Sequence, residues 1–370
     1  MDKTRHSHSR YKYFILVLLL LYLLVIYFAR STYLKNSEVY IGQKEEEFKI
    51  GLQAVFHRFE VVSQNLINDF LSDTVALSII AEASTSDAYK RTQLRQDAMG
   101  RMNAINEKME QNLLKCFNVY FADNASFLRL SDPDLYEYNA GMVPSLVSSV
   151  NITHEYLSGF ETGPASAGYR YVFPLLYKGE YLGCIETGVD FFGIRAGLKK
   201  IFPYEFRFLI NKDYLISKTP FTRLDNFRMS DLSEDFLYEK PTQLLFEQDT
   251  SRPRVSNPLI VEFNKKGKTT IHLLLQDQIT FGHSETIEDI PLLALFYKIQ
   301  SPDHLDLAYI VAYSKDSTLQ GFRTAHYIIM VAAIVLLTAI GILIAMVLNN
   351  ISVIRKKNQE LEKATHSLEA

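Results

Sequence analysis

Arg129, Glu161, Arg170, Glu186 and Asp190 are charged residues set inside short runs that otherwise read as apolar strands: SFLRL (126–130), SGFETG (158–163) and YRYVFPLLYKGEYLGCIETGVDF (169–191). An ionised side chain is costly to bury unless it is paired or faces water or a ligand. Arg129 and Arg170 are suited to hold a carboxylate through two-pronged hydrogen bonds. The competing reading is structural, with Arg129–Glu186 or Arg170–Glu161 as ion pairs inside a sheet. Tyr169, Tyr171, Phe173 and Tyr181 recur at strand spacing in the same stretch. Aromatic residues line small-molecule pockets but are also ordinary sheet residues. Packing is the stronger expectation for these four, with Tyr169 and Tyr171 kept as pocket candidates.

No other constellation carries catalytic chemistry. In Gly163–Gly168 the serine, Ser166, stands one residue off the nucleophile-elbow spacing. His154-Glu155 has no second histidine at zincin spacing. His283, Glu285, Glu288 and Asp289 read as a solvated loop rather than a metal site. No cofactor motif is present. Cys116 and Cys184, the only cysteines, are too few for a disulfide scaffold. They read as buried free thiols, with a link between them as the alternative in an oxidising compartment.

These candidates must be positioned by a frame that the rest of the chain defines. Residues 13–29 and 327–348 are runs of 17 and 22 positions without a charge. Both are long enough to cross a bilayer as helices. Basic residues precede the first run (Lys3, Arg5, Arg10, Lys12) and follow the second (Arg355, Lys356, Lys357, Lys363). Positive flanks stay cytoplasmic, so both termini are expected inside and the segment between the spans outside, in the periplasm or extracellular space. The formal charge of −3 on 370 residues gives no footprint for nucleic acid.

From about residue 37 to 114 there is no proline, and Phe48, Leu52, Val55, Phe56, Phe59, Leu66, Ile67, Phe70 and Leu71 recur at helical spacing. This predicts a long helix leaving the membrane, with a break near 83–87. Strands follow: 116–123 with 126–130, and 169–177 with 180–191 turning at Lys178-Gly179, both hairpins. Residues 191–201 read as helix. A second, weaker set has 205–213 with 214–218 as a hairpin, an irregular stretch with prolines at 220, 241, 253 and 258, then strands at 269–278, 290–300 and 305–316. The recurrence predicts a structural repeat and an α+β architecture, a long helix supporting two antiparallel sheets. Beyond the second span, Ile351, Ile354, Asn358, Leu361, Thr365 and Leu368 alternate at a and d positions of a heptad. That is the pattern of a parallel dimeric coiled coil, with a merely amphipathic helix as the alternative.

On this frame, and on VYFADNASFLRL (119–130), SGFETG (158–163) and YRYVFPLLYKGEYLGCIETGVDF (169–191), the chain resembles the double Cache family of extracytoplasmic sensor domains. The motif match covers roughly residues 115–192. The family's usual Gly-Asp-Asp stretch and downstream arginine after SFLR are replaced here by SDPDLYEYNAGMVPSLV (131–147). The resemblance implies two tandem PAS-like sheets on a stalk helix. It also implies a ligand pocket in the membrane-distal sheet, with Asp190 placed where relatives set an acidic group against a ligand amine. With the two arginines this would suit a small zwitterion such as an amino acid. The implied organisation is a cytoplasmic lead (1–12), a first span (13–29), stalk helices (30–114), a distal module (115–201), a proximal module (202–325), a second span (326–348) and a signalling helix (349–370). The implied role is the input module of a homodimeric receptor. A histidine kinase or diguanylate cyclase output would lie beyond Ala370 or in a partner. The alternative is an outer domain that docks a periplasmic binding protein.

Overall fold

The computed structural model describes residues 3–131, 144–162, 167–218, 227–239, 257–277, 279–301 and 306–368. Ser166, most of the 131–147 segment and the stretches around Pro220, Pro241 and Pro253 lie outside these residues. The chain divides into a two-helix unit, Met1–Ile41 with Asp316–Ala370, and a larger unit, Gly42–Lys315.

In the two-helix unit, α1 (Lys3–Leu71) and the C-terminal helix (Ser317–Leu368) carry the two apolar runs, and both are long and apolar enough to cross a membrane. Polar contacts pin them together: Tyr22 Oη lies 2.6 Å from Thr338 Oγ1, and Tyr40 donates to Asp316 Oδ2 at 2.9 Å. Asp316 also caps the C-terminal helix by accepting from the Thr318 and Leu319 amides.

In the larger unit, α1 buries Phe48, Leu52, Val55, Phe59, Leu66, Ile67 and Phe70, the face its periodicity predicts. Three short helices follow, α2 (Thr74–Thr85), α3 (Ala88–Gly100) and α4 (Asn103–Gln111). The predicted break falls at Ser86-Asp87, where Asp87 accepts from the Lys90 amide at 2.9 Å. An earlier break that the apolar spacing does not disclose falls at Ser72-Asp73, where the Asp73 carboxylate accepts from the Val75 and Ala76 amides. Side-chain caps of this kind satisfy amides that an N-terminal turn leaves open.

The first sheet comprises β1 (Cys116–Phe121), β2 (Ser126–Arg129), β3 (Leu157–Thr162), β4 (Ala167–Tyr177) and β5 (Glu180–Asp190), in the order β2-β1-β5-β4-β3. The first and last strands, β1 and β5, are neighbours. Lys178 and Gly179 both take positive φ, 50° and 86°, the two-residue turn whose twist matches the flanking strands. Helix α5 (Ser145–Thr153) lies between β2 and β3 in sequence, and α6 (Phe191–Leu198) follows β5.

The second sheet has β6 (Glu205–Asn211), β7 (Phe227–Met229), β8 (Phe236–Glu239), β9 (Phe281–Ile287), β10 (Ile290–Gln300) and β11 (Asp306–Lys315), ordered β7-β8-β6-β11-β10-β9. Apart from the edge strand β7, its order repeats that of the first sheet, and helix α8 (Pro258–Gln276) takes the place of α5. The repeat is present, but two of its expected strands are helices. Residues 214–218 belong to α7 (Lys212–Lys218), and β6 pairs with β8 instead; Asn211 Oδ1 accepts from the Tyr214 amide and starts the turn. Residues 269–276 belong to α8, whose buried face Ile260, Phe263, Asn264, Gly267, Ile271 and Leu275 has helical spacing. Asn257 caps that helix and Pro258 stands in its first turn, where its missing amide costs nothing. The expected loop cluster is also corrected. His283 and Glu285 lie on β9, and Glu288-Asp289 form its two-residue turn, with φ of 48° and 63°.

Candidate ligand site on the first sheet

Strand parity sorts the candidates onto opposite faces. The pairs Asn118↔Arg129, Asn118↔Glu186, Arg170↔Gly188, Cys116↔Gly188 and Gly168↔Asp190 put the five charged residues on one face, since Glu161 also pairs with Gly168. Tyr169 and Tyr171 face the other way, onto α1. Tyr171 donates to the Phe56 carbonyl at 2.6 Å and Tyr169 stacks on the Phe56 ring at 4.4 Å. These two tyrosines therefore do the packing that their spacing favours, apart from the charged cluster.

Glu186 is the hub of the charged face. It accepts from Asn118 Nδ2 at 2.7 Å and from Tyr120 Oη at 3.1 Å, and its other oxygen lies 3.6 Å from Arg170 Nε. Among the described residues Arg129 is linked to Glu186 through Tyr120, donating to that hydroxyl at 2.9 Å. Among the described residues the ion pair within 4 Å inside the sheet is Arg170–Glu186, in place of the two pairs expected from sequence. Arg170 also lies across Gly188, whose missing side chain makes the room: a Cβ there would stand 2.7 Å from Arg170 Cδ and 3.0 Å from Cys116 Sγ.

Glu161 sits apart from this chain of bonds. One oxygen, Oε1, accepts from the Ser145 amide and, at 2.8 Å, from the Ser145 hydroxyl. The carboxyl thus abuts the N-terminus of α5. Burial first, and then the charge of Glu186, push its pKa up to about 7. Asp190 is half-buried and caps α6, accepting from the Gly193 amide at 3.0 Å.

Helix α5 covers part of this face. Its Leu146, Val147 and Val150 pack with Tyr120, Val172 and Cys184. Its C-terminal end is tied down by Asn151, which donates to the Phe121 carbonyl and to Asn124 Oδ1 and accepts from Tyr181 Oη. Asn118, Tyr120 and Ser145 are further partners of the charged residues, beyond those singled out from sequence. The signal for Asn118 was a lone amide in the apolar run CFNVYF, in phase with Cys116 and Tyr120. Burial pushes the Cys116 thiol up to about 12 and raises that of Cys184 as well. Each is a free thiol, Cys116 opposite Gly188 and Cys184 opposite Tyr120.

What the face offers chemically is positive charge from Arg129 and Arg170 beside open acceptors. Glu161 Oε2 and Asn118 Oδ1 are buried with no hydrogen-bond partner among the described residues.

No protein-family profile and no curated relative matches the sequence. Among solved structures, the ligand-binding domain of a Campylobacter jejuni chemoreceptor in complex with L-valine is similar over 79% of this chain and 98% of its own, at 8% identity and a TM-score of 0.35. The sensor domain of the V. cholerae histidine kinase DctB is similar over 75% of this chain and 98% of its own, at 14% identity and a TM-score of 0.36.

Proposed function

We propose that the chain is the input module of a membrane receptor, and that the charged face of the first sheet binds a small zwitterion such as an amino acid. The observation that carries this is the asymmetry of that sheet. The face on α1 is packed with Phe117, Val119, Tyr171 and Ile185. The other holds Arg129, Glu161, Arg170 and Glu186, each at most 6% exposed. A well-packed apolar face would be at least as stable as buried ion pairs, so stability alone does not account for the charges. Buried charges with open acceptors are what a ligand site needs. An ammonium group would satisfy Glu161 Oε2, and a carboxylate would be held on the arginine side.

In this reading residues 115–201 form the membrane-distal sensing module, 202–325 the proximal module, and both termini are cytoplasmic. Ligand at the distal face biases the second span, and through it a dimeric coiled coil from residue 349 onward. Such a bias requires ligand to bind one arrangement of the chain better than another. The test is a thermal-stability screen of the full chain in lipid nanodiscs against amino acids and related metabolites. One compound class should raise the melting temperature, and Arg129→Gln should abolish that rise while the protein stays folded. Stabilisation that survives Arg129→Gln and Glu186→Gln would overturn the site, and a screen without any stabilising compound would favour the docking of a binding protein.

A further inference from the structure

Helix α5 is held over the charged face by two unlike anchors. At its C-terminal end Asn151 makes neutral hydrogen bonds to Phe121, Asn124 and Tyr181, and His154 stacks on Tyr181 with ring centres 3.8 Å apart. At its N-terminal end the Ser145 amide and hydroxyl rest on a single carboxyl, that of Glu161. An ammonium contact at Glu161 Oε2 leaves open why α5 is seated on the other oxygen of this acid, which is only 5% exposed.

We propose that Glu161 takes up a proton as the N-terminal end of α5 seats on the charged face and releases it as that end lifts, pivoting about Asn151. The proposal rests on the reading of this face as the ligand site only in its consequence, that occupancy of the face varies with pH. The physical argument is linkage. With α5 seated, Glu161 is cut off from water and its second oxygen has no hydrogen-bond partner among the described residues, which favours the neutral acid. With the end lifted, water reaches the carboxyl and the charged form is restored. Glu186 of β5 disfavours ionisation of the seated group, while Arg170 of β4 and the Ser145 amide and hydroxyl of α5 favour it. Asp190 of β5 stands in the same row beyond Gly168, and Cys116 and Tyr120 of β1, both neutral, share the face. Burial outweighs the favourable contacts, which is why the carboxyl titrates at about 7 rather than at 4.5. Seating is therefore tightest in acid and weakens as pH rises through neutrality, until the carboxyl is charged in both positions.

The test is hydrogen exchange across residues 145–153 in the full chain in nanodiscs, without ligand, corrected for the intrinsic pH dependence of exchange. Protection should fall about tenfold between about pH 6 and about pH 8 in the wild type. In Glu161→Gln it should not change over that range. Ser145→Ala, which removes a donor that favours the charged form, should move the transition to higher pH and serves if the glutamine variant fails to fold. Protection independent of pH in the wild type, or unchanged pH dependence in Glu161→Gln, would overturn the proposal. Because no ligand is present, either result stands apart from the outcome of the ligand screen.

Discussion

Arg170 and Glu186 meet on a diagonal of the first sheet, with Arg170 Nε 3.6 Å from Glu186 Oε1 and both side chains 5% exposed. Arg170 is opposite Gly188 and Glu186 is opposite Val172, so the pair reaches across one step of register. Asn118 and Tyr120 hold the remaining oxygen of Glu186. A buried pair of this kind offers little net stability over apolar residues, but losing one member strands the other.

The first expectation follows from that imbalance. Arg170→Met alone should destabilise the chain by roughly 3–5 kcal/mol, because Glu186 is left charged and buried. Arg170→Met with Glu186→Leu should recover most of the loss and abolish any ligand response. Denaturant unfolding of the three proteins measures this; a single variant within about 1 kcal/mol of wild type would remove the pair from the account.

Gly188 is the space in which Arg170 lies. Gly188→Ala should push the guanidinium off its line toward Glu186, at a cost of roughly 1–3 kcal/mol for overpacking. Ligand stabilisation should fall with it. Comparing melting temperatures with and without the compound found in the screen separates the two effects.

Stability should also depend on pH through Glu161. Its carboxyl is raised to about 7 in the folded chain from 4.5, so the folded state binds the proton more tightly. The contribution is present in full below about 4.5, is lost as pH rises through about 7, and is flat above that. The difference in unfolding free energy between wild type and Glu161→Gln should change by roughly 3 kcal/mol across that window. A difference constant from about pH 4 to about pH 8 would contradict the burial of this group.

Cys116 and Cys184 should be unreactive toward iodoacetamide in the folded chain at about pH 8 and fully reactive after unfolding, since burial holds both thiols protonated. No disulfide should form between them. Their strands are neighbours, but four residues of register separate Cys116 from Cys184, roughly 13 Å along the strand and beyond the reach of an S–S bond. Mass mapping of alkylated peptides reads both points.

Much of this architecture is legible in the sequence because it depends on periodicity. The inward face of α1 from Phe48 to Phe70, the turn at Lys178-Gly179 and the hairpin of β1 and β2 all follow from spacing and turn chemistry. The charged residues were legible too, because an arginine in SFLRL or YRYVFPLLY stands out against its apolar neighbours. Their partners were not, since pairing depends on register: Arg170 meets Glu186 only because Gly188 lies opposite it. Helix α5 was hidden for a different reason. SLVSSVNIT is built from serines and β-branched residues of modest helix propensity, and its helix is supported by the burial of Leu146, Val147 and Val150. In α8 the run TTIHLLLQ reads as a strand in isolation. Only with Ile260 and Phe263 included does the helical period appear.

The central claim is that the charged face recognises both ends of a zwitterion. The most direct measurement is the affinity of the full chain in nanodiscs for the amino acid found by screening, beside its carboxamide and its deaminated acid. Each analogue keeps the side chain and removes one charge, so each should bind at least about tenfold more weakly, the equivalent of about 1.4 kcal/mol. Equal affinity for all three would contradict recognition by Arg129, Glu161, Arg170 and Glu186, and would move the binding site elsewhere on the chain.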